Sequence, residues 1–172
     1  MKLFSRLIFP VLGAFAFFIN SLNAQVTITE LMADNKTTLA DEDGTFSDWV
    51  EIHNAGVDPV SLNGWHLTDN ANNLTKWKFP DTNIAAGSYM VVWASNKNRT
   101  NPGLPLHTSW ALGKSGEFLG LVASNGTTIV SQFAPTFPEQ FEDISYGVLN
   151  GTNVYFGTPT PGAPNGTNSV AF

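Results

Sequence analysis

Short runs of alternating apolar and polar residues, separated by turn residues, fill most of the chain after position 24. Residues 26–31 alternate in the way that a half-buried strand does. Asn63-Gly64 lies between two apolar runs, and both residues tolerate a positive φ, so the pair predicts a β-hairpin. Asn125-Gly126 separates two further runs in the same manner. The other strand candidates are residues 49–53, 75–79, 88–95, 118–123, 128–133, 144–148 and 154–156.

The spacing of these runs indicates an all-β fold. No helical periodicity persists over three turns after the first 24 residues. About nine short strands with frequent turns predict a sandwich or a barrel of Greek-key type. Residues 158–166 differ, because three Pro and two Gly in nine residues are incompatible with strand pairing. We interpret this segment as an exit linker.

The first 24 residues have the three parts of a secretory signal peptide. Lys2 and Arg6 form a basic start, residues 7–19 are apolar, and Ala24 is a small residue at the expected cleavage point. An apolar run of this length is too short to cross roughly 30 Å of hydrocarbon, which disfavours an uncleaved anchor. We expect a signal peptide at 1–24, a β-sandwich domain at 25–157 and a Pro/Gly-rich C-terminal tail or linker at 158–172. The product would be secreted or held at the cell surface, with no membrane span after cleavage.

The amino-acid composition excludes several classes of function. The chain has 8 Lys+Arg against 14 Asp+Glu, and a sequence pI near 4.8 excludes a strongly basic nucleic-acid domain. It contains no Cys, which excludes a disulfide scaffold and a Cys-ligated zinc site. Removal of residues 1–24 would leave six basic and 14 acidic residues, a net charge of −8. Only 13% of the residues are charged, so Asn, Thr, Ser and Gly must supply much of the polar surface.

Several short blocks, in order, resemble a known family. They are ITELMADN at 28–35, SDWVEIHN at 47–54, LNGWHLTD at 62–69, VVWAS at 91–95, LGKSGE at 112–117 and TPTPG at 158–162. This pattern is similar to the bacterial secreted form of the lamin-tail domain family and extends over nearly all of residues 26–165. The resemblance implies an immunoglobulin-like β-sandwich and a non-enzymatic module, with no catalytic set to carry over. Some members of the family are proposed to bind DNA.

An acidic loop is the candidate metal site. Asp41, Asp43 and Asp48 supply the carboxylate oxygens that Ca²⁺ prefers. Their spacing lacks the EF-hand order, and a solvated loop with an Asp capping turn amides is the favoured interpretation. We therefore expect no cofactor, with Ca²⁺ as the one candidate.

A small basic and aromatic group is the candidate binding site. Its residues are Trp77, Lys76, Lys78, Lys97 and Arg99, and Trp77, alternating with lysines, is expected to be partly exposed. Four cations on a domain of net charge −8 make a weak phosphate-binding surface, so nucleic acid is a weak candidate partner. The three histidines, at 53, 66 and 107, show no catalytic spacing.

Three functions remain open. The favoured one is a monomeric, non-catalytic exported β-sandwich module with structural or binding interactions, whose partner is an unknown protein or a surface polysaccharide. The second is a polysaccharide- or DNA-binding module. The third is an N-terminal accessory domain of a larger secreted enzyme, for which the Pro-rich segment would be the linker.

Overall fold

Strands form the regular structure of residues 25–172, the part of the chain that the computed structural model describes. The predicted signal peptide at 1–24 lies outside the described residues. The strands are β1 (Val26–Met32), β2 (Asp48–Asn54), β3 (Val60–Ser61), β4 (His66–Thr68), β5 (Trp77–Lys78), β6 (Asn83–Ile84), β7 (Tyr89–Ala94), β8 (Leu106–His107), β9 (Leu119–Val122), β10 (Ile129–Phe133), β11 (Ser145–Leu149), β12 (Thr152–Phe156) and β13 (Ser169–Val170).

Two main sheets confirm the predicted all-β, immunoglobulin-like sandwich. One has seven strands in the order β13-β12-β11-β1-β2-β7-β8, and the other has four in the order β10-β9-β4-β5. β3 and β6 form a separate two-stranded sheet. The described residues contain thirteen strands against about nine expected, and β6, β8 and β13, each of two residues, lie outside every predicted run. Two residues are too few to show a periodic pattern.

The two Asn-Gly pairs have different outcomes. Gly126 (φ +72°) lies in the turn between the paired strands β9 and β10, which confirms that hairpin. Gly64 (φ +77°) also lies in a turn, where the amide of Trp65 donates to the carbonyl of Leu62. The strands beside this second turn do not pair with each other, so the predicted hairpin is wrong: β3 pairs with β6, and β4 pairs with β5 and β9.

The core lies between the two main sheets. Leu31, Val50 and Val92 are opposite one another across β1, β2 and β7, and each is fully buried. Leu67 and Trp77 face them from the smaller sheet. Burying each such side chain contributes about 1.5–3 kcal/mol, so this apolar layer is the main source of stability in a chain that has no disulfide.

A second, smaller apolar cluster covers the outer face of the large sheet. Met32, Trp49 and Trp93 are aligned across β1, β2 and β7 and are buried, with Leu39 packed against them. Trp49 thus faces away from Val50, as the strand alternation predicts.

A bulge in β1 sets this arrangement. Ile28 is opposite Ile52, whereas Glu30 is opposite Glu51, so Thr29 is an extra residue. The insertion reverses the alternation, and Glu30 therefore shares the outer face with Glu51. Gly147 on β11 is opposite Glu30, and a Cβ added there would lie 2.2 Å from the carbonyl oxygen of Thr29. The bulge is therefore compatible only with glycine at 147.

Residues 158–172 pack back onto the large sheet and do not extend away as the linker interpretation expects. The side-chain Nδ2 of Asn165 donates to the carbonyls of Thr29 and Val148, each at 2.9 Å. β13 then pairs with β12. The segment docks because its donors satisfy polar groups on the sheet that the sequence pattern does not reveal.

Within 25–172, no helix has the length and apolar character needed to cross a bilayer.

Gly147→Ala is expected to lower the free energy of unfolding by about 1–3 kcal/mol, because the new methyl group would collide with the β1 backbone. Urea denaturation followed by tryptophan fluorescence measures this change. Gly166→Ala is the control, since its added Cβ would have its nearest contact at 3.8 Å. Equal stability of the two variants would contradict the role assigned to Gly147.

Candidate binding groove and charged clusters

An open polar groove of about 510 Å³ runs beside β5. Lys76, Lys78 and Pro80 line it from β5 and the residues beside β5, and Asn98 and Thr100 line it from the loop after β7. The remaining lining residues are Asn63, Trp77, Phe79 and Ser109. The groove thus combines amide, hydroxyl and ammonium groups.

Trp77 is buried, which corrects the expectation that it is partly exposed. Only 3% of it is accessible, and its ring packs edge-on against Phe79 at 4.9 Å. Because side chains alternate along a strand, the exposed position of Lys78 places Trp77 in the core. Trp77 cannot therefore offer its ring face to a ligand. Its indole nitrogen lacks an acceptor among the described residues.

The four predicted basic residues separate into two groups. Lys76 lies at the groove and pairs with Asp69 at 2.7 Å, with its ammonium 5.9 Å from the ring centre of Trp110. Lys78 also lines the groove. Lys97 and Arg99 instead contact the acidic loop, which we define as residues 41–43.

These two cations form ion pairs with all three carboxylates of the acidic loop. The Lys97 ammonium lies 2.5 Å from Asp41 and 2.7 Å from Asp43, and Arg99 lies 2.6 Å from Asp43 and 2.5 Å from Glu42. Burial opposes ionisation of Asp41, but hydrogen bonds from Lys97 and from neighbouring groups hold its pKa below the usual range. Hydrogen bonds from Arg99 and Lys97 lower the pKa of Asp43 further.

The three calcium candidates do not converge on one point. Asp41 accepts hydrogen bonds from the amides of Asp43 and Thr45, the turn-capping role expected of it. Asp48 contacts a different group, the amide of Asn35 at 3.4 Å, and burial raises the pKa of Asp48 to about 6. Among residues 25–172, no group of three or more acidic, His or Cys side chains could hold a metal ion. Side-chain ammonium and guanidinium groups occupy the acidic loop.

His107 joins the acidic loop to β7 and is a residue that sequence reasoning missed. It is fully buried, with Nδ1 2.8 Å from Ser95 Oγ and Nε2 2.9 and 3.0 Å from the two oxygens of Glu42. A serine, a histidine and a carboxylate are thus connected in a row. Their separations of 12 and 65 residues carry no sequence signal.

Glu30 and Glu51 are a second pair that sequence reasoning missed. Both are fully buried on the outer face, beneath residues 158–166. Burial raises the pKa of Glu30 above its usual range and that of Glu51 to about 7. The one available signal was the presence of a charged residue beside Trp49 and Val50 in a β-rich run.

Lys97→Ala is expected to lower the free energy of unfolding by about 1–3 kcal/mol, because it leaves the buried Asp41 carboxylate without its cation. Chemical denaturation at pH 7 measures the loss. Lys36→Ala, which removes an exposed lysine from an ion pair with Asp34, should lower the free energy of unfolding by clearly less than Lys97→Ala does. A loss in Lys97→Ala no larger than in this control would show that the acidic loop does not need its cation.

The family comparison agrees with the geometry. The model of the lamin tail domain matches residues 20–136, more than half of the chain, and includes β1 to β10. No curated protein was found to match the chain. Lamin tail domains are non-enzymatic domains of immunoglobulin-like fold, in agreement with the two packed sheets. The chain belongs to the lamin tail domain family.

Proposed function

We propose that this protein is an exported, non-catalytic interaction module that binds a surface polysaccharide through the polar groove. The basic start, apolar run and small residue of positions 1–24 support export. The absence of Cys from the whole sequence fits a domain stabilised by packing alone. The groove is the observation on which the binding proposal depends.

The groove offers mainly neutral polar groups. Asn63, Asn98, Thr100 and Ser109 can donate and accept hydrogen bonds, as sugar hydroxyls require. Lys78 adds one exposed ammonium group that forms no ion pair within residues 25–172. These groups suit a polyhydroxylated chain better than a polyanion.

Charge argues against nucleic acid as the partner. Residues 25–172 contain 14 acidic and six basic side chains. Lys97 and Arg99 are engaged by the acidic loop, and Lys76 by Asp69. A phosphate backbone would therefore meet few available cations and a negative surrounding field.

Binding is tested by affinity electrophoresis of the folded protein in gels that contain a soluble neutral polysaccharide, either β-glucan or galactomannan. A fluorescent single-stranded oligonucleotide, measured by anisotropy, is the nucleic-acid probe. We expect retardation by at least one polysaccharide and no change in anisotropy. The double variant Lys78→Ala/Thr100→Ala should weaken retardation by roughly tenfold, because an ammonium and a hydroxyl donor are removed from the groove.

Lys36→Ala is the matched control, since it removes one lysine that does not line the groove. Its retardation should equal that of the unsubstituted protein. Polysaccharide binding that survives the double variant, or tight oligonucleotide binding, would contradict the proposal.

A hydrolase function is the second candidate, because Ser95, His107 and Glu42 form a hydrogen-bonded row. Two features disfavour it. Arg99 shares Glu42 with His107, and Ser95 bonds to Nδ1, whereas the serine of a Ser-His-Asp triad bonds to Nε2. We interpret the row as a structural connection between the acidic loop and β7.

A fluorophosphonate probe distinguishes the two functions, since it labels an activated serine covalently. We expect no labelling of the folded protein, measured by intact-protein mass spectrometry. Labelling that is abolished in both Ser95→Ala and His107→Gln would establish a reactive serine and refute the non-catalytic assignment.

A further inference from the structure

Residues 158–166 are attached to the large sheet through two buried carboxylates. The amide of Gly162 donates to Glu51 at 2.6 Å, and the amide and hydroxyl of Thr160 donate to Glu30 at 3.0–3.3 Å. The hydroxyl of Thr29 donates to Glu51 at 2.6 Å, and the hydroxyl of Ser145 donates to Glu30. The docked position of the segment thus depends on these two side chains.

The carboxylates have no cation to compensate them. Glu30 and Glu51 are opposite each other in the register of β1 and β2, and both are fully buried. The ion pairs found within residues 25–172 all involve other carboxylates. Ionising both therefore places two like charges side by side in a region closed to water.

On this face, His53 and Tyr89 are the titratable groups nearest the pair in the register of β2 and β7. They occupy the next row of β2 and β7, with their rings stacked at 4.0 Å. Burial lowers the pKa of His53, so the ring is uncharged at neutral pH. Burial and the charge of Glu51 raise the pKa of Tyr89. The residues of 158–166 include no titratable side chain, and on β11 Tyr146 packs on the core side.

We propose that Glu30 and Glu51 form a pH-dependent switch that holds residues 158–172 against the sheet in acid and releases them as the pH rises above neutral. The switch uses the packing of the segment over the pair: docking excludes water from the carboxyl groups, and release readmits it. It involves none of the groove-lining residues and is independent of the proposed polysaccharide binding.

The direction follows from proton linkage. Burial raises the pKa of Glu51 to about 7 in the docked state, whereas a solvated carboxyl titrates near its ordinary value of 4.5. The docked state therefore binds protons more tightly than the released state. The extra stability that proton binding gives the docked state is complete below about pH 4.5 and is lost as the pH rises through about 7. The pKa of Glu30 is raised in the same direction, again by burial.

Release would uncover an edge of the large sheet. β13 pairs with Tyr155 and Phe156 of β12, and it is the last strand on that side. Without it, β12 would present open backbone donors and acceptors, to which a partner strand can add.

Amide hydrogen exchange of the full chain, measured by NMR and divided by the intrinsic exchange rate at each pH, tests the switch. Between pH 5 and pH 8, the protection of the Thr160 and Gly162 amides should fall by roughly tenfold or more. The amides of Val50 and Ile52 in β2 should keep their protection. A flat profile at Thr160 and Gly162, or a parallel loss at all four amides, would overturn the proposal.

Glu51→Gln should weaken the pH dependence, because only Glu30 can then ionise, and Glu30→Gln/Glu51→Gln should flatten the profile, because neither amide can ionise. Glu117→Gln is the matched control: burial also raises the pKa of Glu117, but this residue contacts the amide of Gly113 and not the segment. It should leave the profile unchanged, as should His53→Gln. A pH dependence that survives in Glu30→Gln/Glu51→Gln, or that disappears in His53→Gln, would show that another group is responsible. If Glu51→Gln does not fold, the carboxyl ¹³C titration of Glu51 in the unsubstituted protein decides, and a midpoint near 4.5 would refute the switch.

Discussion

The bulge at Thr29 is the constraint on which much of this structure depends. One extra residue in β1 moves every later side chain of that strand to the opposite face of the sheet. Leu31 then points into the core, and Met32 joins Trp49 and Trp93 outside. Glu30 lies beside Glu51 for the same reason. A regular strand would have placed a glutamate in the apolar core and a leucine on the outer face.

Charge pairing determines which parts of the surface are available to bind a partner. The acidic loop and its two cations form a closed network, in which His107 adds a buried connection to Glu42. Such pairs hold loops in place but leave little net charge to attract a partner. The groove beside β5 differs, because amides and hydroxyls make up much of its lining. The proposed binding surface therefore does not coincide with the acidic loop, where charged residues are most concentrated in the sequence.

The predictions that succeeded rest on local patterns. Alternation located β1, and the Asn125-Gly126 turn correctly indicated a hairpin, since both depend on residues close in the chain. The same reasoning was wrong at Asn63-Gly64, where the turn exists but its flanking strands enter different sheets. At Trp77 the alternation was present, but which face was buried depended on the partner sheet. A local pattern shows that side chains alternate between two faces of a strand, but it does not show which face is buried.

The sequence by itself determined the all-β class, the turn positions and the membership of a family, because these depend on short-range backbone preferences and on ordered blocks of residues. Only the tertiary structure decided the contacts between distant residues. Glu30 and Thr160 are 130 positions apart, and His107 and Glu42 are 65 apart. Burial and hydrogen bonding at such separations depend on how the sheets stack and on one bulge. Long-range hydrogen bonding also explains the docked C-terminal segment. Its composition predicts a linker, but its hydrogen-bond donors contact buried carboxylates on the large sheet.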